Sequence, residues 1–473
     1  MGSYLTPHIK KIHCIGIGGS GMSGIAEILH AQGYVVSGSD CAANAATARL
    51  EKKGIRIEYH HHSDHITQVD LVVYSSAISS NNPELQLAKA AHIPILGRGQ
   101  MLAALMLDKY GIAVGGTHGK TSTVGLIAQL CLYADLDPTL IMGGYLNSIQ
   151  SHAYAGKNDY FIAEADESDA SLLYLKPKIA VLTNIDSDHL ATYGGDFDQL
   201  VATYKKFLKS VEATAKDSWP MGGIVTCHDD PILRRLHASL QQPGLTYGFH
   251  AEAMVRAADF RQEGQSFYFK IIRESCQASD LEIRAPLSGQ HNALNVLAAV
   301  SVATLLNIPD ELIQAALKNY TGVARRFQLL GQAVLPQGVV HVIDDYGHHP
   351  QEIKATAQAI RDTWPNQRLV MIFQPHRYTR TRDLFESFAE VLSEVSGELI
   401  LLPIYAASEG TIPGVDSHKL LEAIKKRKGI QPLYIEPEHL ISHLTHYLRH
   451  DDIVLFQGAG DISQLAHRFM KAI

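Results

Sequence analysis

Along almost the whole chain, short apolar runs alternate with longer stretches of helical period. Residues 11 to 17, KIHCIGI, form an apolar run that breaks into GGSG. MSGIAEILHAQG then places apolar residues at helical spacing, and YVVSGSD is a second run ending on an acidic residue. Apolar run, glycine turn, helical stretch and apolar run together predict a βαβ unit. The pattern continues through IRIEYH, VDLVVYSSAI and IPILGRG, which predicts a small Rossmann-like domain over residues 1–108.

The alternation restarts at YGIAVGG, another strand that runs into a glycine turn, followed by the helical stretch TSTVGLIAQLCLYA. DYFIAEA and KIAVLTNI are strand-like runs that end in polar residues, where open parallel sheets keep their ligands. SFYFKII reads as part of a β-rich stretch within 251–285, and the helix NALNVLAAVSVATLL closes a second domain over 109–322. From 323 to 473 strand and helix alternate again: VVHVIDDYGHHP, RLVMIFQP, ELILLPIY, QPLYI and DIVLFQGAG each precede or separate helical stretches. A chain of 473 residues exceeds what one hydrophobic core organises, so three α/β domains are expected.

Composition narrows the function classes. With 46% hydrophobic and 19% charged residues the chain reads as a folded α/β enzyme. Its net charge of −7, and a longest basic run of KKRK at 425–428, give no basic face for nucleic acid; that run reads as a solvated helix end. The five cysteines are dispersed and form no CxxC pair, which points to a reducing compartment. No apolar run reaches 18 residues and the N-terminus lacks a signal-peptide core, so a cytoplasmic protein without membrane contact is expected. Trp219 and Trp364 read as packing residues, and the histidines of YHHHSDH, 59–65, as a solvated loop.

The candidate chemistry sits at strand ends. Gly16, Gly18 and Gly21 fit GxGxxG, which lets a phosphate approach a helix N-terminus. Asp40 stands where a carboxylate would hold a ribose, so any nucleotide with a free 2′-hydroxyl fits, a uridine nucleotide included. AVGGTHGKTST, 113–123, is one residue short of the eight-residue phosphate loop, with Val114 where the opening glycine belongs. Gly116 and Gly119 can still leave backbone N–H groups curled round a phosphate, with Lys120 as a point charge and the Thr121 hydroxyl for Mg²⁺. EADESD supplies Glu164, Asp166, Glu167 and Asp169, either as hard oxygen ligands for that magnesium, Glu164 first among them, or as an exposed acidic turn. TNIDSDH offers Asn184, Asp186, Asp188 and His189 for a metal or a substrate, or simply a capping turn through Asp188 or Ser187. Arg325 and Arg326, at the second boundary, are either a solvated pair or a hinge that reaches a γ-phosphate. In the third segment Asp344 and Asp345 suit an ammonium, while His376, Arg377 and Arg380 suit a carboxylate or phosphate; so many ionisable groups at two strand ends would be costly as a core.

An ATP-magnesium centre, a nucleotide site before it and an ion-rich pocket behind it suit a ligase, which must bring a phosphorylated acceptor and an amine together without water. A sensor ATPase would not need the third-segment charges, and a nicotinamide dehydrogenase leaves GTHGKT unexplained. GIGGSGMSG, GTHGKTS, EADESD, TNIDSDH, SGQHNALN, GVARRF, DDYGHHP, FQPHRYTRT and GAGD, in this order, resemble the Mur ligase family over essentially the whole chain. The resemblance implies a three-domain architecture: an N-terminal Rossmann-like domain, a central P-loop ATPase-like domain and a C-terminal Rossmann-like domain. It implies ATP and Mg²⁺ as cofactors, and UDP-N-acetylmuramate and L-alanine as partners, or alternatively a murein tripeptide as acceptor, in a monomer or weak homodimer.

By that resemblance Gly16, Gly18, Gly19, Ser20, Gly21, Met22, Asp40 and Ser75 bind the UDP-sugar. Gly115, Gly116, Thr117, His118, Gly119, Lys120, Thr121 and Ser122 hold the ATP phosphates, and His291 and Asn292 lie by the nucleotide. Thr121 and Glu164 hold one magnesium and His189 a second, while Arg326 approaches the phosphates. Asp345, His348, His376, Arg377 and Arg380 surround the amino acid and the transferring phosphate, with His348 the candidate base. Lys120, His189, Arg326, His348, Arg377 and Arg380 are the expected catalytic set.

Overall fold

The computed structural model describes residues 4–211, 222–240, 242–273, 276, 278–395, 397–427 and 430–472. Trp219 and Lys428 lie outside them. The strands of the first segment are β1 (Lys11–Ile15), β2 (Val35–Ser39), β3 (Arg56–Glu58), β4 (Leu71–Tyr74) and β5 (Ile95–Gly97), with helices α1 (Ser20–Ala31), α2 (Ala45–Lys52), α3 (Pro83–Ala90) and α4 (Arg98–Met106) between and after them. All pairings are parallel and the order is β3-β2-β1-β4-β5. That is the doubly wound pattern, with its crevice between the ends of β1 and β4.

The second sheet has ten strands. They are β6 (Tyr110–Gly115), β7 (Thr139–Leu146), β8 (Ser151–Tyr154), β9 (Tyr160–Glu164), β10 (Ile179–Leu182), β11 (Gly223–Cys227), β12 (Gly244–Gly248), β13 (Val255–Glu263), β14 (Ser266–Ile272) and β15 (Leu281–Ala285). Their order, β15-β14-β13-β12-β11-β10-β6-β9-β7-β8, puts β6 between β10 and β9, parallel to both. Helices α5 (Lys120–Tyr133), α6 (Phe197–Lys209), α7 (Pro231–Ala238), α8 (Gln290–Leu305) and α9 (Asp310–Lys318) accompany it. Helix α5 is buried nearly all round, because its run of Val124, Leu126, Ile127, Leu130 and Cys131 leaves no polar face. The third sheet comprises β16 (Gln328–Leu335), β17 (Gly338–Asp345), β18 (Leu369–Phe373), β19 (Glu398–Leu401), β20 (Leu433–Tyr434) and β21 (Ile453–Gln457), in the order β16-β17-β21-β18-β19-β20. Its helices are α10 (Pro350–Thr363), α11 (Tyr378–Asp383), α12 (Phe385–Glu394), α13 (Ser417–Lys426), α14 (Pro437–Tyr447) and α15 (Ile462–Ala472). Apolar clusters fill both faces of this sheet, one built on Met371, Phe373 and Phe388, the other on Val370, Ile372, Phe456 and Phe469.

The chain divides into two compact units. The first holds the five-stranded sheet and most of the ten-stranded one; the second is 322–473 together with 286–293 and 261–268, the adjoining ends of β13 and β14. Trp364 packs as expected, stacked on Phe327 at 6.4 Å between ring centres. Lys425 and Lys426 close the last turn of α13, as the basic run predicted. The histidine run does not behave as a solvated loop throughout: His60 and His62 are exposed, but His61 and His65 turn inward onto the buried carboxylate of Glu84. Period alone missed this, because the attracting group lies about twenty residues further along the chain. Among the described residues no helix is long and apolar enough to cross a membrane.

Candidate active site

Each glycine loop follows an interior strand of its sheet. In the N-terminal sheet Gly16 turns the chain at φ +76°, and a Cβ there would stand 3.1 Å from the Cβ of Ser75, just past β4. The Ser75 N–H donates to the Ile15 carbonyl at 3.1 Å, so loop and β4 end are joined at the crevice. The Gly18 N–H donates to Oδ2 of Asp40 at 2.7 Å, and Oδ1 accepts from Cys41 at 2.8 Å. Asp40, read from sequence as a ribose ligand, thus braces the loop through Oδ2, while Oδ1 turns back on its own chain neighbour. Gly19 caps α1 without a side-chain acceptor and Ser20 opens its first turn, while Met22 is buried beneath. That leaves first-turn N–H groups without a side-chain cap beside the crevice, an arrangement suited to phosphate.

In the central sheet the missing glycine is explained by register. Val114 is a fully buried strand residue opposite Glu164, and Gly115 pairs with Leu182 on the other side. The turn therefore begins one residue later and is closed by the neighbouring strand. Asn184 Oδ1 accepts from the His118 N–H at 2.8 Å, and its Nδ2 donates to the His118 carbonyl at 3.0 Å. The Thr183 hydroxyl donates to the same carbonyl at 2.5 Å, and the Asp186 N–H donates to Oγ1 of Thr117 at 2.9 Å. Gly116 at φ +121° and Gly119 at φ +82° are required: a Cβ would lie 2.1 Å from the Thr183 hydroxyl and 2.6 Å from Oδ1 of Asn295, respectively. Helix α5 starts directly after Gly119 with Lys120, Thr121 and Ser122.

Lys120 points back under the loop. Its ammonium donates to the Gly116 carbonyl at 2.6 Å, the Thr117 carbonyl at 3.2 Å and both oxygens of Glu167 at 2.8 Å. Burial pulls its pKa down, but Glu167, Asp166 and Glu164 outweigh that and raise it, so the lysine stays charged. Glu164 ends β9 and accepts from the Gly143 N–H at 2.8 Å. His189 follows β10 in left-handed backbone, φ +55°, with Nε2 3.4 Å from Oδ2 of Asp188. Thr121, Glu164 and His189 thus arise from β6, β9 and β10, adjacent strands of the sheet. The Thr121 hydroxyl and the Glu164 carboxylate are hard oxygen donors suited to Mg²⁺, and the glycine cradle is one that a Cβ would fill.

At the start of α8, Asn292 is buried and donates to the Ser288 carbonyl at 2.9 Å. Burial depresses the pKa of His291, with Asp345 and Glu352 acting against it. In the C-terminal unit Asp345 is saturated: it accepts from Phe327 and Gly347 N–H, the Thr356 hydroxyl and the Gln457 amide at 2.7–3.2 Å. It holds the turn after β17, and Asp344 beside it is fully buried, accepting from the Ser463 hydroxyl at 2.5 Å. Arg325 donates to the carbonyls of Gly458 and Gly460, which fixes it to the loop after β21. Both guanidinium groups of the Arg325-Arg326 pair lie over Tyr346, at 4.9 and 5.0 Å from the ring centre.

His348, His376 and Tyr405 form a ring cluster: His348 meets His376 edge-on at 5.7 Å, and His376 stacks on Tyr405 at 5.6 Å. His348 Nδ1 lies 3.2 Å from the Tyr346 carbonyl, a contact that places the proton on Nδ1 and the lone pair on Nε2. Arg380 donates toward Nδ1 of His376 at 3.5 Å, and burial with Arg380 and Arg377 pushes that imidazole down to about 4. Arg377 is exposed at φ +71° at the start of α11.

Three residues here escaped the sequence reading. Glu167 was read only as one of four candidate magnesium ligands, and only the fold shows that it grips Lys120. Asn295 lies against Gly119 and accepts from the Thr123 hydroxyl at 3.2 Å. Arg98, at the start of α4, donates to Asp166 at 2.8 Å and Asp169 at 3.0 Å and passes within 3.1 Å of a Cβ placed on Gly21. It therefore packs beside the first turn of α1 while ion-paired to the acidic run after β9. No local motif marks it, though it directly follows the last strand of the first sheet.

The profile for the Mur ligase family catalytic domain matches residues 11–110, that for the Mur ligase middle domain 114–303, and that for the Mur ligase glutamate ligase domain 325–460. Among solved structures, the UDP-N-acetylmuramate-alanine ligase MurC of Thermotoga maritima is similar at 26% identity and a TM-score of 0.81, with 98% of this chain and 99% of that one covered. A murein peptide ligase of Psychrobacter arcticus matches at 22% identity and 0.69, over 98% of both chains. MurF of Acinetobacter baumannii matches at 16% and 0.61, over 98% and 94%. With all three domain profiles in order and the glycine loops, acidic run and C-terminal ring cluster in place, the chain belongs to the Mur ligase family, the ATP-dependent amide ligases of peptidoglycan synthesis.

Proposed function

We propose that this ligase joins L-alanine to UDP-N-acetylmuramate, with 1–108 holding the UDP-sugar, 109–322 the ATP and 323–473 the amino acid. The observation that carries the choice of acceptor is the closer agreement, over the full length, with the alanine ligase than with the murein peptide ligase or MurF. Gly16 to Met22, with Asp40 and Ser75 bracing the crevice, take the uridine nucleotide. Gly115 to Ser122 cradle the ATP phosphates, Lys120 neutralises charge on the β and γ groups, and Asn292 and His291 lie toward the base. Thr121 and Glu164 would hold one Mg²⁺ and His189 a second, and that metal supplies charge neutralisation at the transferring phosphate. Arg326 is assigned to the same phosphate.

A carboxylate is a poor electrophile, so the muramoyl carboxylate first attacks the γ-phosphorus, giving an acyl phosphate and ADP. The neutral amine of alanine then attacks the acyl carbon, and phosphate leaves from the tetrahedral adduct. His348, with its lone pair on Nε2, accepts the amine proton. Arg377 and Arg380 hold the amino acid carboxylate, His376 contributes a neutral ring wall, and Asp345 fixes the turn that carries His348.

The test is an acceptor panel. UDP-N-acetylmuramate, ATP and Mg²⁺ are incubated with L-alanine, glycine, L-serine or L-alanyl-γ-D-glutamyl-meso-diaminopimelate, and product mass is read. An alanyl adduct formed best with alanine supports the reading. An adduct with the tripeptide alone reassigns the chain to the peptide-ligase branch, and ATP hydrolysis without any adduct leaves a nucleotide-dependent sensor.

A further inference from the structure

The histidines after β3 play no part in the ligase chemistry, yet they converge on one carboxylate. Glu84, the second residue of α3, is fully buried. Its Oε1 lies 2.8 Å from Nδ1 of His65 and 3.3 Å from Nε2 of His13; its Oε2 lies 2.9 Å from Nδ1 of His61 and accepts from the Ser39 hydroxyl at 2.7 Å. The ligating atoms of His13, His65 and Glu84 all fall within 4.8 Å of one another. These side chains come from β1, the segment after β3, and α3, so the cluster is assembled by the fold and not by a local run.

The distances match what a metal needs. A tetrahedral ion with bonds of about 2.0–2.1 Å has ligand-to-ligand edges of about 3.3 Å. The His13–Glu84 separation already has that length, and the His65–Glu84 contact needs to open by about half an ångström. The other ring nitrogen of His13 lies 2.9 Å from the Ser37 hydroxyl, the kind of outer contact that fixes the orientation of a ligating imidazole. Imidazoles with one carboxylate suit Zn²⁺, Co²⁺ or Ni²⁺, whereas Mg²⁺ prefers oxygen ligands alone.

We propose that Nε2 of His13, Nδ1 of His65 and a carboxylate oxygen of Glu84 form a binding site for a divalent transition-metal ion of the zinc class. The site lies directly beneath the first glycine loop. Ser39, bonded to Glu84, also accepts the Gly16 and Ile17 N–H groups on its carbonyl at 2.8 and 3.1 Å and is followed by Asp40. A bound ion therefore cross-links β1, α3 and the segment after β3 under the loop, and it stabilises the folded chain in proportion to its affinity.

The experiment uses the full chain, stripped with a chelator and then freed of it, titrated with Zn²⁺ against a chromophoric competitor and separately with Co²⁺. The expected result is one ion per chain, the intense visible bands of four-coordinate Co²⁺, and a rise in Tm with Zn²⁺. His65→Gln, at the rim of the cluster, should weaken binding by about 100-fold, as should His13→Gln if its circular dichroism stays native. The double variant His60→Gln/His62→Gln, at the exposed histidines, should leave binding intact. Absence of stoichiometric binding to the parent chain, or binding that survives His65→Gln and disappears in the His60/His62 double variant, would overturn the proposal and leave a hydrogen-bonded network around Glu84.

Discussion

Gly116→Ala separates the two nucleotide loops. The added Cβ would stand 2.1 Å from the Thr183 hydroxyl, 2.9 Å from the Thr183 nitrogen and 3.1 Å from the Asn184 nitrogen, on a backbone at φ +121°. Two of these neighbours are main-chain atoms that cannot swing aside, and an ordinary carbon–oxygen contact requires an opening of about 1.3 Å at the third. Moving the Thr183 hydroxyl forfeits its bond to the His118 carbonyl, about 1 kcal/mol, and the backbone conformation costs about 1–3 kcal/mol for a residue with a side chain. With the steric term, the closed loop loses about 3–5 kcal/mol, or about 10²–10⁴ in affinity for any ligand that needs it closed. Calorimetric titration should show Mg-ATP binding weakened to that extent and UDP-N-acetylmuramate binding unchanged. Gly18→Ala, whose Cβ would meet the Asn44 amide at 2.7 Å and the Asp40 carboxylate at 2.8 Å, should do the reverse. A Gly116→Ala chain that binds Mg-ATP within about threefold of the parent, a difference under 1 kcal/mol, would refute the closed-loop argument.

Glu167→Gln strands the buried Lys120 ammonium without its main counter-charge, so the chain should lose about 3 kcal/mol of stability in urea titration; an unchanged midpoint would mean that the contact contributes nothing. Arg98→Ala removes the ion pairs to Asp166 and Asp169 from beside the first turn of α1, and UDP-sugar and ATP binding should both weaken; a purely local change in thermal stability with both affinities intact would contradict a coupling role. His376 is held at about 4 by burial and by Arg380, Arg377 and Arg325, with Glu409 acting against them. As pH falls from about 6.5 to 4 the unfolded chain takes up this proton first, so the native state loses up to about 3 kcal/mol across that window and is favoured above it. His376→Gln should flatten that part of the stability profile, and an imidazole that titrates near its ordinary value by NMR would dispose of the argument.

The sequence was informative wherever a strand ran into glycine. The loops after β1 and β6, the helices behind them and the five strands of the first sheet were all legible, because a buried parallel strand reads as an unbroken apolar run and the turn chemistry leaves few residue choices. The antiparallel β16 was hidden: half-exposed QLLGQAVL lacks a continuous apolar run, and its partner β17 masked the PQG turn between them. In the site, residue type was readable but partnership was not. EADESD announced acids, yet which one grips Lys120 depends on the register of β9 against β6. Asp40 and Asp345 carried the right chemistry for substrate, and the fold shows their oxygens also accepting from backbone and side-chain donors in the turns around them. Arg98 and Glu84 had no motif because their partners lie in other elements.

The central claim is ligation through an acyl phosphate, and oxygen transfer tests it most directly. UDP-N-acetylmuramate labelled with ¹⁸O in the muramoyl carboxylate is incubated with ATP, Mg²⁺ and L-alanine, and both the nucleotide product and the released phosphate are weighed by mass spectrometry. The account predicts one alanyl residue gained by the nucleotide for each phosphate released, with one ¹⁸O atom carried into that phosphate. Unlabelled phosphate, or labelled phosphate with no alanyl product, would contradict it.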